Sequence, residues 1–226
     1  MSERQRATSR VRRRRSARGA GDQLRAEIIT ATKELLARAG RAEDVSVRAV
    51  ADAVGVTTPS IYLHFADKDA LMTAVVLDVL RELDEAMLAA AEGIEDPLWR
   101  LRAYALAYIE FAIAHPEHYR LATMDPRPGH SKKEIDEMLA QAAFQHLFET
   151  ASALVENGTF RDDDPLSLAF ELWTTAHGIA ALLIAKPDLP LGDRRLFADR
   201  TLCRAALGHT LTPPEGWPTP GGPLRP

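Results

Sequence analysis

Side chains that can hydrogen-bond to phosphates and to the edges of bases are concentrated in one short stretch of the chain. They are Ser46, Arg48, Thr57, Thr58, Ser60, Tyr62, His64 and Lys68. Hydroxyl and cationic groups position a protein on a nucleic acid, and an arginine can also bond bidentately to guanine. The chain has no nucleophile elbow, no phosphate-binding glycine loop and no His-Glu-x-x-His sequence. We therefore predict binding chemistry here and no catalytic residue.

Two short helices joined by a glycine turn would position these side chains. Ser46 is a favourable N-cap for a helix over 47–53, and Thr57 for a second helix that ends near Phe65. Ala51 and Gly55 are small enough to let the helices cross steeply. The buried wedge between them would be formed by Val50, Val54, Val56 and Ile61. The pattern predicts a helix-turn-helix whose second helix enters a major groove, with an ordinary helical hairpin as the alternative.

The same stretch resembles the DNA-binding domain of TetR-family transcriptional regulators, over residues 24–72. The resemblance is carried by Gly55-Val56-Thr57, by Tyr62-Leu63-His64-Phe65 and by Lys68. Pro59 departs from the small residue that is common at its position.

The resemblance assigns a role to each polar residue. It implies that Arg48 contacts a phosphate or a base edge. The residues that would face the groove are Thr57, Thr58 and Ser60. Those that would hold the phosphate backbone are Tyr62, His64 and Lys68. The implied partner is double-stranded operator DNA with an inverted repeat.

Charge is distributed very unevenly along the chain. Residues 1–20 hold eight arginines and one glutamate, a net charge of +7, which leaves −11 on the other 206 residues. Residues 21–68 hold six basic and seven acidic side chains, so the helix-turn-helix itself is not basic. A solvated tail and an arm that neutralises DNA phosphates are both consistent with the arginine run.

Helical periodicity, many Ala and Leu residues and little strand-type alternation predict an all-α fold of about nine helices. We expect a disordered basic arm over 1–20, a three-helix DNA-binding domain over 21–68 and a helical ligand-binding and dimerisation domain over 69–211. The Pro- and Gly-rich segment 212–226 is expected to be disordered.

The C-terminal part resembles a TetR subgroup with a WHG-type C-terminal domain over about 97–205. The resemblance rests on His115-Pro116-Glu117-His118-Tyr119 and on Trp173 with His177-Gly178. It implies that this part binds small molecules and dimerises through its last two helices. Independently, the helix after Pro165 carries no charge over 172–185, so it must be covered on all sides. A second copy of the chain would cover its outer face; burial within a monomer is the alternative.

A ligand pocket in this domain would be lined mainly by aromatic side chains. The candidates are Trp99, Tyr104, Tyr108, Phe111, Tyr119, Met124, Phe144, Phe148, Trp173 and His177. Each aromatic is also an ordinary core residue, and His177 fits a hydrogen-bonded core histidine better than a ligand contact. We expect no metal site, because Pro116 disrupts the helical spacing of His115 and His118, and no cofactor.

Together with these patterns, the TetR resemblance implies a homodimeric transcriptional regulator, a repressor released from its operator by a small hydrophobic effector. A ligand-blind regulator or activator is the alternative, and an enzyme that uses the helical body is a remote one. The single Cys203, the absence of a signal peptide and an uncharged stretch too short to span a bilayer favour a cytoplasmic protein without a membrane partner.

Overall fold

The computed structural model describes residues 20–124 and 142–210, and in this part of the chain helices are joined by short turns and loops, without a strand. Its nine α-helices are α1 (Ala20–Ala39), α2 (Val47–Val54), α3 (Thr58–Tyr62), α4 (Lys68–Ala90), α5 (Pro97–Ala114), α6 (Pro116–Thr123), α7 (Ala142–Glu156), α8 (Pro165–Ala185) and α9 (Arg194–Thr210). A 3-10 turn, Ala42–Asp44, precedes α2. The predicted all-α class is confirmed.

Several predictions lie outside the described residues. They concern residues 1–19 of the predicted basic arm and the Pro- and Gly-rich segment 212–226. Among the described helices, α3 ends at Tyr62 instead of near Phe65.

The first compact unit contains α1 to α3, α4 as far as Val79, and residues 117–124. Its core is made of aliphatic side chains that recur every three or four residues, together with one tyrosine. They include Ile28, Leu36, Val50, Ile61, Leu71, Val75, Val79 and Tyr119, none more than 1% exposed. The largely buried Lys33 ammonium lies 2.5 Å from the Asp78 carboxylate, and the His118 ring donates a 3.0 Å hydrogen bond to the Lys33 carbonyl. These bonds tie α1 to both α4 and α6.

The second compact unit contains the remainder of α4 with α5, α7, α8 and α9. One buried cluster joins α5, α7 and α8 and includes Leu101, Ala151, Leu154, Phe160, Leu168, Ala169 and Leu172. Asp96 and Asp164 cap α5 and α8 by accepting bonds from backbone amides of the first turn. The boundary between the two units lies inside α4, after Val79, whereas the predicted domain boundary lies between residues 68 and 69. The predicted boundary concerns which parts of the chain fold independently, and it stays a prediction.

The helix α8 has the extent predicted from the sequence, Pro165–Ala185. Its 21 residues include an 18-residue stretch with a mean hydropathy of 1.5, which by length and composition is enough to cross a membrane. The predicted uncharged stretch 172–185 is shorter than this helix because Glu171 precedes it. A single such helix is weak evidence for a membrane span, since the core helix of a soluble domain has the same properties.

Candidate nucleic-acid interface

The turn between α2 and α3 is fixed by one carbonyl group and one glycine. The backbone amides of Gly55 and Val56 both donate to the Ala51 carbonyl, each at 3.0 Å. Gly55 has a φ of +77°, a conformation that costs a residue with a side chain about 1 kcal/mol or more. Val50 and Ala51 are buried beneath the turn. Of the predicted wedge, Val50 and Ile61 are buried, whereas Val54 and Val56 are only half-buried.

The start of each helix depends on a hydroxyl-bearing residue. The Ser46 side chain accepts the Ala49 amide at 3.1 Å and caps α2 as expected. Thr57 occupies the N-cap position of α3, but its hydroxyl lies 2.8 Å from that of Ser60 instead of bonding to an amide. The two hydroxyls therefore orient each other on the first turn of α3, beside Thr58.

The end of α3 alternates between anchoring and outward-facing side chains. Ile61 and Phe65 are buried at 1% and 4% exposure, while Tyr62 is 50% and Leu63 85% exposed. His64 is half-buried between them. Leu63 is absent from the predicted site residues, although its position between Tyr62 and His64 could have indicated that it belongs to the site. An exposed apolar side chain there can contact a thymine methyl group.

The cations of this unit are held in different ways. Arg48 is exposed, and its Nε lies 4.0 Å from the Asp52 carboxylate one turn along α2. Lys68 Nζ donates a 3.1 Å bond to the Glu43 carbonyl, which ties the start of α4 to the turn before α2. Arg41 pairs with Glu43, whose hydrogen bond raises the pKa of the guanidinium.

Seven of the eight residues predicted to contact DNA lie on α2, on α3 or at the turns that flank them, and the eighth, Lys68, begins α4; all eight belong to the first compact unit. Sequence reasoning missed Arg25 of α1, whose guanidinium carbon lies 5.1 Å from the centre of the Phe65 ring. No local pattern signals this contact, because it joins residues 40 positions apart.

In the second unit, three predicted pocket residues form a chain of hydrogen bonds. The Trp173 indole donates to the Tyr108 hydroxyl at 3.1 Å, and that hydroxyl lies 3.3 Å from His177 Nδ1. Burial lowers the pKa of His177 and so favours its neutral form. Phe144 and Phe170 lie against Trp173, with ring centres 6.4 and 6.3 Å away. We call these five residues the aromatic cluster.

The other pocket candidates make different contacts. Trp99 is 59% exposed and stacks on Arg102, and Phe111 lies against His115. Tyr104 is buried beside His146, and Phe148 packs on the hydrophobic cluster that contains Leu101. Tyr119 and Met124 belong to the first compact unit. Among the described residues, no group of three or more His, Cys, Asp or Glu side chains could hold a metal ion.

Two half-buried histidines make the stability of the second unit dependent on pH. Burial is the largest cause of the lowered pKa of both His177 and His209. The unfolded chain therefore binds protons more readily, so stability is full above the ordinary histidine pKa of about 6.5 and falls as the pH drops below it. We expect His177→Phe to reduce the fall in melting temperature between pH 7.5 and 5.5, measured by circular dichroism. Parallel pH curves for the variant and the natural chain would contradict this role.

Comparison with known proteins identifies the architecture. The family model described as "Bacterial regulatory proteins, tetR family" matches residues 28–75, which span most of α1 to the first turns of α4. The model described as "Tetracyclin repressor-like, C-terminal domain" matches residues 101–205. The two matches do not overlap and together cover more than half of the chain.

The chain belongs to the TetR family. The resemblance seen in the sequence is thereby confirmed, while the WHG subgroup is a finer assignment and stays a prediction. Members of this family are DNA-binding transcriptional regulators, and the helix-turn-helix is formed by α2 and α3. The family and the names of the relatives are those of transcriptional regulators and not of enzymes.

Individual relatives agree with the TetR assignment. The HTH-type transcriptional regulator Rv1816 of Mycobacterium tuberculosis is 27% identical over 172 residues, 73% of this chain and 72% of that protein. The HTH-type transcriptional regulator EthR of Mycolicibacterium smegmatis is 27% identical over 180 residues, 78% and 82% of the two chains. The structure of a protein of unknown function from Rhodococcus sp. RHA1 matches with a TM-score of 0.72 at 24% identity, over 83% of this chain and 96% of that one, and it supports the fold alone.

Proposed function

We propose that this TetR-family regulator is a cytoplasmic homodimeric repressor that a small hydrophobic ligand releases from an inverted-repeat operator. The observation that carries the proposal is the exposed, hydroxyl-bearing face of α3, held by the Gly55 turn and by the buried Ile61 and Phe65. A face of small polar side chains fits a major groove. A helix that served only as solvent-exposed surface would typically carry Glu and Lys.

The outer face of α8 supports dimerisation. Thr174, Gly178 and Leu182 are exposed at four-residue intervals, in a stretch that has no charged side chain from Leu172 to Ala185. An uncharged exposed face on a helix suits an isologous contact with a second copy. Two copies would place their α3 helices in major grooves about 34–36 Å apart, the separation of half-sites one helical turn apart.

The aromatic cluster supports a response to a ligand. It combines half-buried aromatic surface with a polar chain of three residues, the composition typical of small-molecule sites. A ligand there would release DNA only to the extent that it binds the DNA-free conformation more tightly than the bound one. The continuous helix α4 belongs to both compact units and is the element we expect to transmit the change.

Gel shifts with duplexes from the DNA beside the coding region of this protein test the proposal. We expect an inverted repeat to be bound by a dimer, and transcription from that duplex to fall when the protein is added. A chain that stayed monomeric and ignored duplexes of every sequence at modest ionic strength would refute the proposal. Increased transcription would favour an activator.

The aromatic cluster yields a separate prediction about the ligand response. We expect hydrophobic compounds that raise the melting temperature of the natural chain to lose most of that effect on Tyr108→Phe, because the variant lacks the hydroxyl between Trp173 and His177. Ser152→Ala is a matched control, since it removes a partly buried hydroxyl of the same unit that bonds to the Phe148 carbonyl. Equal thermal shifts in both variants would exclude the aromatic cluster as the ligand-binding site. If no compound of a broad library shifted the melting temperature of the natural chain, a ligand-blind regulator would be favoured.

A further inference from the structure

Arg25 of α1 is held differently from the other basic side chains of residues 21–68. Of the six basic residues in this range, those that pair with carboxylates are Lys33, Arg38, Arg41 and Arg48. Lys68 is bonded to a carbonyl group. Within the described part of the chain, the Arg25 guanidinium pairs with no carboxylate and instead lies over the Phe65 ring, with Cζ 5.1 Å from the ring centre. Its charge is therefore not neutralised by a described neighbour.

The contact with Phe65 fixes the position of the Arg25 guanidinium. Phe65 is 4% exposed, so the core holds its ring in place, and the ring in turn orders the long arginine side chain. A guanidinium that lies over a ring keeps the N–H donors at its edge available for hydrogen bonds. Arg25 is itself exposed, so it presents an ordered fork of donors to solvent. Such a fork matches the oxygens of a phosphate group.

This fork lies beside the residues that end α3. Phe65 directly follows His64, and a side chain built on Gly21, one turn before Arg25, would meet the His64 ring at 4.0 Å. Tyr62, on the last turn of the same helix, is 50% exposed. The first turns of α1 therefore border the residues that the family resemblance places on the phosphate backbone.

We propose that Arg25 is a further DNA-contacting residue, whose guanidinium, held on Phe65, binds a backbone phosphate at the edge of the half-site that α3 occupies. This inference rests on the proposed DNA-binding function and adds to it a cation from α1, outside the helix-turn-helix. A phosphate contact positions a protein on the duplex without reading a base. Arg25 therefore contributes affinity and salt dependence, but no sequence preference.

Arg25→Gln in the full-length chain tests the contact, because it removes the charge and keeps a polar side chain. Arg38→Gln is the matched control. Arg38 is exposed on the same helix, about 20 Å further along its axis, and pairs with Glu34, so its replacement changes the net charge equally. The probe is a duplex that the natural chain selects from a random-sequence pool. Affinity for this duplex and for an unselected one is measured by fluorescence anisotropy between about 50 and 200 mM salt, a range in which phosphate contacts change affinity strongly.

We expect Arg25→Gln to lower the slope of log affinity against log salt by about 1 for each bound protomer, because each protomer loses one phosphate contact. Affinity should fall by about 10-fold for each protomer, the effect of losing a hydrogen bond between charged groups. The preference for the selected duplex should remain. Arg25→Lys should keep the slope and lose part of the affinity, because an ammonium group lacks the planar fork. Arg38→Gln should keep the natural slope and affinity.

Neutral methylphosphonates in the selected duplex locate the contact. Replacing one backbone phosphate at a time should weaken binding of the natural chain at every phosphate that it contacts. Arg25→Gln should become insensitive to one of these replacements in each half-site. The Arg38→Gln control should remain sensitive to all of them.

The other outcomes separate the inference from the function on which it rests. If Arg25→Gln kept the salt slope and the methylphosphonate pattern of the natural chain, the inference would be overturned, and Arg25 would serve only to cover Phe65. An equal fall of the slope in Arg38→Gln would also overturn it, because the effect would then follow net charge and not position. Failure of the natural chain to select any duplex would instead overturn the proposed DNA-binding function.

Discussion

Leu182→Arg is expected to convert the proposed dimer to a folded monomer and to weaken binding to an inverted repeat by about 100- to 1,000-fold. Leu182 is 39% exposed on α8, one turn from Gly178, where an added Cβ would meet nothing within 4 Å. An isologous contact through this face would bring two such arginines into one apolar interface. Burying unpaired like charges costs several kcal/mol. Without the linkage between protomers, the second half-site is no longer bound at high effective concentration.

A matched substitution separates this effect from a general loss of solubility or stability. Ile113 is 36% exposed on α5 of the same unit, so Ile113→Arg adds the same charge at a similarly accessible position. Sedimentation velocity should give a dimer for the control and a monomer for Leu182→Arg. The protomers of the two variants should have similar melting temperatures once they are separated. A dimer that persists in both variants would place the interface on another face.

The local features of the DNA-binding unit could be predicted from the sequence because their causes are local. Ser46 and Asp67 lie just before a helix, where a side-chain oxygen can accept a hydrogen bond from a free backbone amide. Both of these N-cap hydrogen bonds are present. Gly55 stands where the chain takes up a positive φ. The end of α3 was predicted less well, because the amides of His64 and Phe65 both bond back to the Ile61 carbonyl and close the helix early.

The contacts that give the sites their chemistry could not be predicted, because they join distant residues. Lys68 bonds to a carbonyl 25 positions earlier, and Tyr108 meets Trp173 across 65 positions. Aromatic residues predicted as one pocket are distributed among a surface stack, a buried core and a polar chain. Residue type alone does not determine which of these environments a tryptophan such as Trp99 occupies.

Lys68 carries a charge and Tyr62 does not, so we expect substitutions at these two residues to affect the salt dependence of DNA binding differently. Lys68→Met should weaken binding to every duplex by about 100-fold in a dimer, since a hydrogen bond to a charged group contributes about 1.5 kcal/mol in each protomer. It should also lower the salt slope by about 2, because two phosphates lose a cation. Tyr62→Phe removes a neutral hydroxyl, so we expect a comparable loss of affinity with the slope unchanged. Fluorescence anisotropy at several salt concentrations measures both quantities.

Lys68 also has a structural bond, and the salt slope separates its two roles. One of its three ammonium donors is used by the Glu43 carbonyl, which leaves two for a phosphate oxygen. If Lys68 acted only by holding the turn before α2, Lys68→Met would lower the melting temperature and the affinity without changing the number of counterions released. Lys68→Arg keeps the charge and should retain the slope even if the bond to Glu43 is remade imperfectly. If the salt slope were the same in the natural chain, Lys68→Met and Lys68→Arg, the role of Lys68 would be structural, and neighbouring residues would bind the phosphates.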